Sequence, residues 1–75
     1  MNKENFLKEL EDILQREEPC KETDKLAEYD EWDSLAKMSV MAYFSGTFGI
    51  KLHASDLKNL LTVSDIISLA NEQIQ

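Results

Sequence analysis

Asp33-Ser34-Leu35-Ala36-Lys37-Met38-Ser39-Val40-Met41-Ala42-Tyr43-Phe44-Ser45-Gly46-Thr47-Phe48-Gly49 is the stretch that decides the fold. An acid stands where a helix needs a cap, and a glycine stands where it needs a left-handed residue to stop. Between them Leu35, Met38, Met41 (or Ala42), Phe44 (or Ser45) and Phe48 recur at helical spacing, with Val40 adding width. The expected element is a helix starting at Asp33 or Ser34 and ending before Gly49, with that stripe facing a core and Phe48 as a principal anchor. Gly46 inside it costs about 1 kcal/mol against alanine. The one reason the sequence offers for it is the close approach of a neighbour. Ser34, between the cap and the first apolar residue, is left at the rim.

Upstream, Phe6, Leu7, Leu10, Ile13 and Leu14 form one face of an amphipathic helix expected over residues 3–16, with Pro19 blocking further helix. Residues 17–33 are polar and acidic, which is long for a structureless loop in so small a domain. They are expected to lie packed across the bundle, pinned by Leu26, with Ala27, Tyr29 and Trp32 as further anchors. Cys20 in this loop reads as a surface thiol.

Downstream, Ile50 and Leu52 form a short extended link. Ser55 is placed to cap a brief helix holding Leu57, Leu60 and Leu61. Thr62-Val63-Ser64-Asp65 sets an acid three residues after a hydroxyl, a variant of the capping box that opens the last helix. Val63, Ile66, Ile67, Ala70 and Ile74 follow at helical spacing. No strand alternation is present. The expected fold is all-α, a small four-helix bundle of three main helices and one short one, in a single domain over residues 1–75.

The totals exclude several classes. With 75 residues and 43% apolar content, the chain supports one small core and no deep enzyme cleft. A single cysteine allows no internal disulfide and no thiolate metal cluster, and suits a reducing cytoplasm. The first residues, Met1-Asn2-Lys3-Glu4-Asn5, lack the apolar region of a signal peptide. No apolar run approaches the roughly 20 residues of a membrane span. A net charge of −7 opposes nucleic acid as a partner. That charge is uneven: residues 1–33 hold 12 acids and 5 bases, whereas residues 34–75 hold 3 of each. His53 has no second ligand near it in sequence, and the acid-rich loop lacks the Asp-x-Asp-x-Asp-Gly pattern of a calcium site.

Trp32-Asp33-Ser34-Leu35 opening the second long helix, after an amphipathic first helix and a long acidic loop, resembles the acyl carrier proteins. The resemblance runs on through Phe48-Gly49-Ile50 and the short third helix to Leu61-Thr62-Val63, covering nearly the whole chain. It implies an acyl-carrier-like bundle with no catalytic activity of its own, acting as a cytoplasmic monomer. In that family a separate transferase esterifies the serine with the 4′-phosphopantetheine of coenzyme A, so the resemblance assigns Ser34 as the attachment site. The implied partners are a phosphopantetheinyl transferase, an acyl- or aminoacyl-loading enzyme, and a downstream synthase or transferase. Asp33, Leu35, Lys37, Met38, Ala42, Leu52 and Leu57 become the candidate partner-recognition residues. Met38, Met41, Phe44, Leu52, Leu57, Leu60 and Ile67 read as core, and the family implies that such a core opens to shelter an acyl chain.

One departure stands out. Familiar fatty-acid carriers have several acids along the second helix, whereas residues 34–48 here contain none and a single base, Lys37. Charge complementarity governs encounter rate and partner choice more than raw affinity. The neutral helix therefore points to a dedicated carrier in a specialised pathway. An aminoacyl or peptidyl carrier of the same fold is the nearest alternative. An unmodified acidic helical interaction module is a rival, and there Ser34 would serve only as a helix cap. A small hydrolase using Ser34 fails because only His53 is available as base and no third group is placed beside it.

Overall fold

Asn2 opens the first helix: its side-chain oxygen accepts from the Asn5 amide at 2.7 Å. In the computed structural model, which describes residues 1–75, this helix, α1, spans Lys3–Leu14. It buries Phe6, Leu10 and Leu14, one residue per turn. Its end falls two residues short of the expected 16, at a left-handed Gln15 (φ 56°), well before Pro19 can act.

Residues 15–33 cross the bundle with one 3-10 turn, Leu26–Glu28. Leu26 is the anchor as expected, being 1% exposed, and Tyr29 is buried beside it. Cys20 is also buried, which corrects the reading of a surface thiol. The loop backbone is stitched to the start of the last helix by Leu26 N–H to Leu61 O (2.9 Å), Val63 N–H to Asp24 O (3.0 Å) and Ser64 N–H to Glu22 O (2.9 Å). These bonds satisfy main-chain groups that a buried loop would otherwise strand.

The second helix, α2, spans Ser34–Phe48, with Asp33 as its N-cap and Gly49 (φ 68°) as its left-handed stop. Both ends match the sequence reading. The buried face matches in part: Val40 and Phe44 point inward as read and Ala36 joins them, but Met41 and Phe48 are half-buried, and Leu35 and Met38 are 72% and 65% exposed. Apolar residues lie nearly all round α2, so periodicity alone does not select a face. Packing against α1 selects it: Ala36, Val40 and Phe44 join Phe6, Leu10 and Leu14 of α1 in one buried cluster. Phe44 meets Phe6 edge-on at 6.1 Å and Phe48 at 5.1 Å between ring centroids. Gly46 is exposed and has nothing within 4 Å of where a Cβ would sit, so no neighbour accounts for it.

Two short helices complete the fold: α3, Ala54–Lys58, and α4, Val63–Ser68. The cap of α3 is His53 and not Ser55; the Asp56 carboxylate accepts from the His53 amide at 2.7 Å. Leu60 and Leu61 lie beyond α3, with Leu61 72% exposed. At α4 the capping box forms as read. The Asp65 amide donates to Thr62 Oγ1 (3.3 Å), and the Asp65 carboxylate accepts from the Thr62 amide (3.0 Å) and the Leu61 amide (2.9 Å).

The pattern in the sequence points to three main helices; the structure has two long and two short ones and no strand. After Ser68 the backbone tightens into bonds spanning three residues, from Leu69, Ala70 and Asn71. It then reverses at left-handed Asn71 and Glu72. The reversal, and not a longer helix, buries Ile74. It also sets the Gln75 amide against Met1 O at 2.8 Å. All sixteen buried residues are apolar in type and form one cluster. The radius of gyration, 11.1 Å, matches the value of about 11 Å for a compact chain of this length. The fold is thus all-α and compact.

Candidate functional site

Asp33, and not Ser34, caps α2. Its Oδ1 accepts from the Ala36 amide at 2.9 Å, satisfying one of the free amides of the first turn. Ser34 is the first residue inside α2 and is exposed, so its hydroxyl is not consumed in ending the helix. The site is a serine presented at the start of a 15-residue helix, beside backbone amides and the positive end of the helix dipole.

Ser34 stands at the edge of a cleft of ≈ 260 Å³ between α2 and α3. Ser34, Lys37, Met38 and Met41 line it from α2, one stripe at helical spacing. Ala54, Leu57 and Lys58 line it from α3. The cleft thus gathers five residues singled out from sequence, namely Ser34, Lys37, Met38, Met41 and Leu57. It leaves out others. Leu35 is exposed on a neighbouring face and borders a separate hollow with Ile13, Asp33 and Ser39. Ala42 is exposed further along α2. Leu52 is buried in the core, which removes it from the surface a partner would touch. Met38 likewise leaves the core list, since most of its side chain meets solvent.

Lys58 and Ala54 are absent from the sequence reading. The detectable signal was Lys58 following Leu57, a base beside an apolar residue on a short helix. Without the packing angle of α3 nothing directed that pair toward Ser34. Lys37 holds its ammonium 5.9 Å from the Trp32 ring centroid, a long cation–π contact.

A second cluster lies in the acidic loop. The Arg16 guanidinium sits 3.7 Å over the Tyr29 ring and donates to Glu31 Oε1 at 2.8 Å. Its Nε is buried without a partner. The Tyr29 hydroxyl donates to Asp24 at 2.7 Å. That bond, with help from the Lys21 amide, holds the Asp24 carboxyl below the usual carboxylate range. Burial, followed by the neighbouring Asp24, pushes the Tyr29 phenol well above its ordinary value. Burial also raises the Cys20 thiol, so the thiolate, the reactive form, is disfavoured. The Arg16–Tyr29 stacking links the two hydrogen bonds, and the cluster acts as a clamp on the loop. No three His, Cys, Asp or Glu side chains converge as a metal site. No helix is long and apolar enough to cross a membrane.

No protein-family model, no curated protein and no solved structure matches this chain.

Proposed function

We propose that this chain is a carrier protein of the acyl-carrier type, with Ser34 as the attachment point for 4′-phosphopantetheine. The observation that carries the reading is the division of labour at the start of α2. Asp33 caps the helix, and the next residue offers an exposed hydroxyl at the lip of an apolar cleft. The residues fit the group. An anion attached at Ser34 lies where the helix dipole and first-turn amides favour negative charge. The cleft beside it is lined mainly by apolar side chains and by no carboxylate. When bound, the group supplies a thiol that holds acyl cargo as a thioester.

The chain's own residues then have presenting and docking roles and no catalytic one. Asp33 orders the turn on which Ser34 stands. Leu35 and Met38 expose apolar side chains beside it, which a partner enzyme covers on docking. Met41 and Leu57 line the cleft in which an acyl chain would find apolar surface, and methionine adapts readily to such a guest. Partners are a phosphopantetheinyl transferase, a loading enzyme for acyl or aminoacyl groups, and a synthase or transferase downstream, in the cytoplasm. The absence of acids on residues 34–48 supports a dedicated carrier for a specialised pathway. A fatty-acid synthase from a general pathway should load and extend on it more slowly than on its own carrier.

The test is mass. Incubation with coenzyme A and a broad-specificity phosphopantetheinyl transferase should add one phosphopantetheine, and Ser34→Ala should abolish the gain. No gain with several transferases would support the second reading, an unmodified interaction module, which the exposure of Leu35 and Met38 also favours.

A further inference from the structure

Charge changes sign at Ser34. Asp30, Glu31 and Asp33 stand immediately before it, and the chain then holds no acid until Asp56, while Lys37, Lys51 and Lys58 follow. The fold turns this linear division into a spatial one by setting Lys37 and Lys58 on opposite walls of the cleft that begins at Ser34. Neither lysine is in an ion pair; the paired bases are Lys3 and Arg16. Asp56, the acid of α3, is engaged with the His53 amide at the start of its own helix. The α3 side of Ser34 is thus a small basic and apolar region on a chain of net charge −7.

We propose that Lys37 and Lys58 hold the phosphodiester of an arm attached at Ser34, directing the arm over α3 and away from the acidic loop. This rests on the carrier reading above. Lys37 lies three residues after Ser34, on the same face of α2. A lysine binds phosphate as a point charge on a flexible stem, and so adjusts to a group whose position is not rigid. The acids before Ser34 repel the same anion. One methylene beyond the phosphate ester oxygen, pantetheine has a carbon bearing two methyl groups, and Met38, Met41 and Leu57 offer them apolar surface. Lys37 and Lys58 are then positioning residues for the arm, which separates them from Leu35, whose exposed side chain remains free for a partner.

The experiment compares amide chemical shifts of the ¹⁵N-labelled protein before and after loading with coenzyme A and a broad-specificity transferase. Loading should shift Met38, Met41, Leu57 and Lys58 and leave Asp30 and Glu31 nearly still. In Lys37→Gln/Lys58→Gln the α3 shifts should fall about threefold, the scale of two exposed charge contacts. Raising salt from about 0.02 to about 0.5 M should have a similar effect on the wild type. Lys37→Arg/Lys58→Arg should restore them, and Lys51→Gln should change nothing. A protein that gains the arm yet shows α3 shifts indifferent to these lysines, or shifts concentrated on the acidic loop, overturns this assignment alone. A protein that gains no mass overturns the carrier reading and the assignment with it.

Discussion

The acidic loop and α2 use apolar residues in opposite ways. The loop, residues 15–33, is polar and charged, yet it buries Cys20, Leu26 and Tyr29 and adds the Arg16–Tyr29–Asp24 clamp. The helix is rich in apolar residues, yet it leaves Leu35 and Met38 in solvent beside Ser34. A stretch that looks like linker is held down at several points, and a stretch that looks like core keeps two large apolar side chains free. Burial in a small bundle follows which neighbour can come close, not how apolar a segment is. The exposed pair on α2 therefore contributes little to stability and is available for contact.

The largest effect that would break this comparison lies in the buried seam. Phe44→Ala should cost about 3–5 kcal/mol and Leu26→Ala about 2–5 kcal/mol, read as lost stability in denaturant melts. Comparable losses would place a loop residue on a par with a helix core residue. A negligible loss at Leu26 would mean that the loop is not pinned. Phe48→Ala, half-buried at the end of α2, should cost less than Phe44→Ala. Equal costs would restore the stripe read from the sequence.

Gly46→Ala should stabilise by about 0.5–1 kcal/mol, because the site is helical, exposed and free of neighbours. Gly49, at φ 68°, should behave in the opposite way. Leu35→Ser with Met38→Ser should change stability by no more than about 0.5 kcal/mol in a thermal melt, as surface changes do. A drop of core size would return them to the core and leave α2 without its free apolar face.

The smallest expected effect is in pH and touches the loop alone. The Asp24 carboxyl is held low, chiefly by the Tyr29 hydroxyl, so it binds protons less readily folded than unfolded. Its contribution to stability is present above the ordinary carboxylate value and is lost as pH falls through the lower folded value. Melts across the acid range should show a shallower decline for Asp24→Asn than for the wild type. Identical slopes would mean that the clamp is not electrostatic.

Local chemistry was legible from residue order. Asp33 as cap, Gly49 as stop and the Thr62–Asp65 box depend on neighbours a few residues away, and all are present; Leu26 is also the pin as read, but through a distant partner, Leu61. What failed was local at the ends of α1 and α3 and long-range elsewhere. Gln15 ended α1 before Pro19 came into play, and α4 stopped at Ser68 because the chain turned back toward Met1. Cys20 went inside because the loop folded over it.

The same division holds at the site. By itself the sequence determined that the chain is helical, acidic in its first 33 residues and without acids along 34–48, and that a serine follows a capping acid. Those properties rest on side-chain type and short-range spacing. Only the tertiary structure decided which face of α2 is buried, since that helix is apolar on nearly every side and α1 had to choose. It alone also brought Lys58 of α3 opposite Lys37 of α2, across a cleft whose walls are distant in the chain and adjacent only through packing.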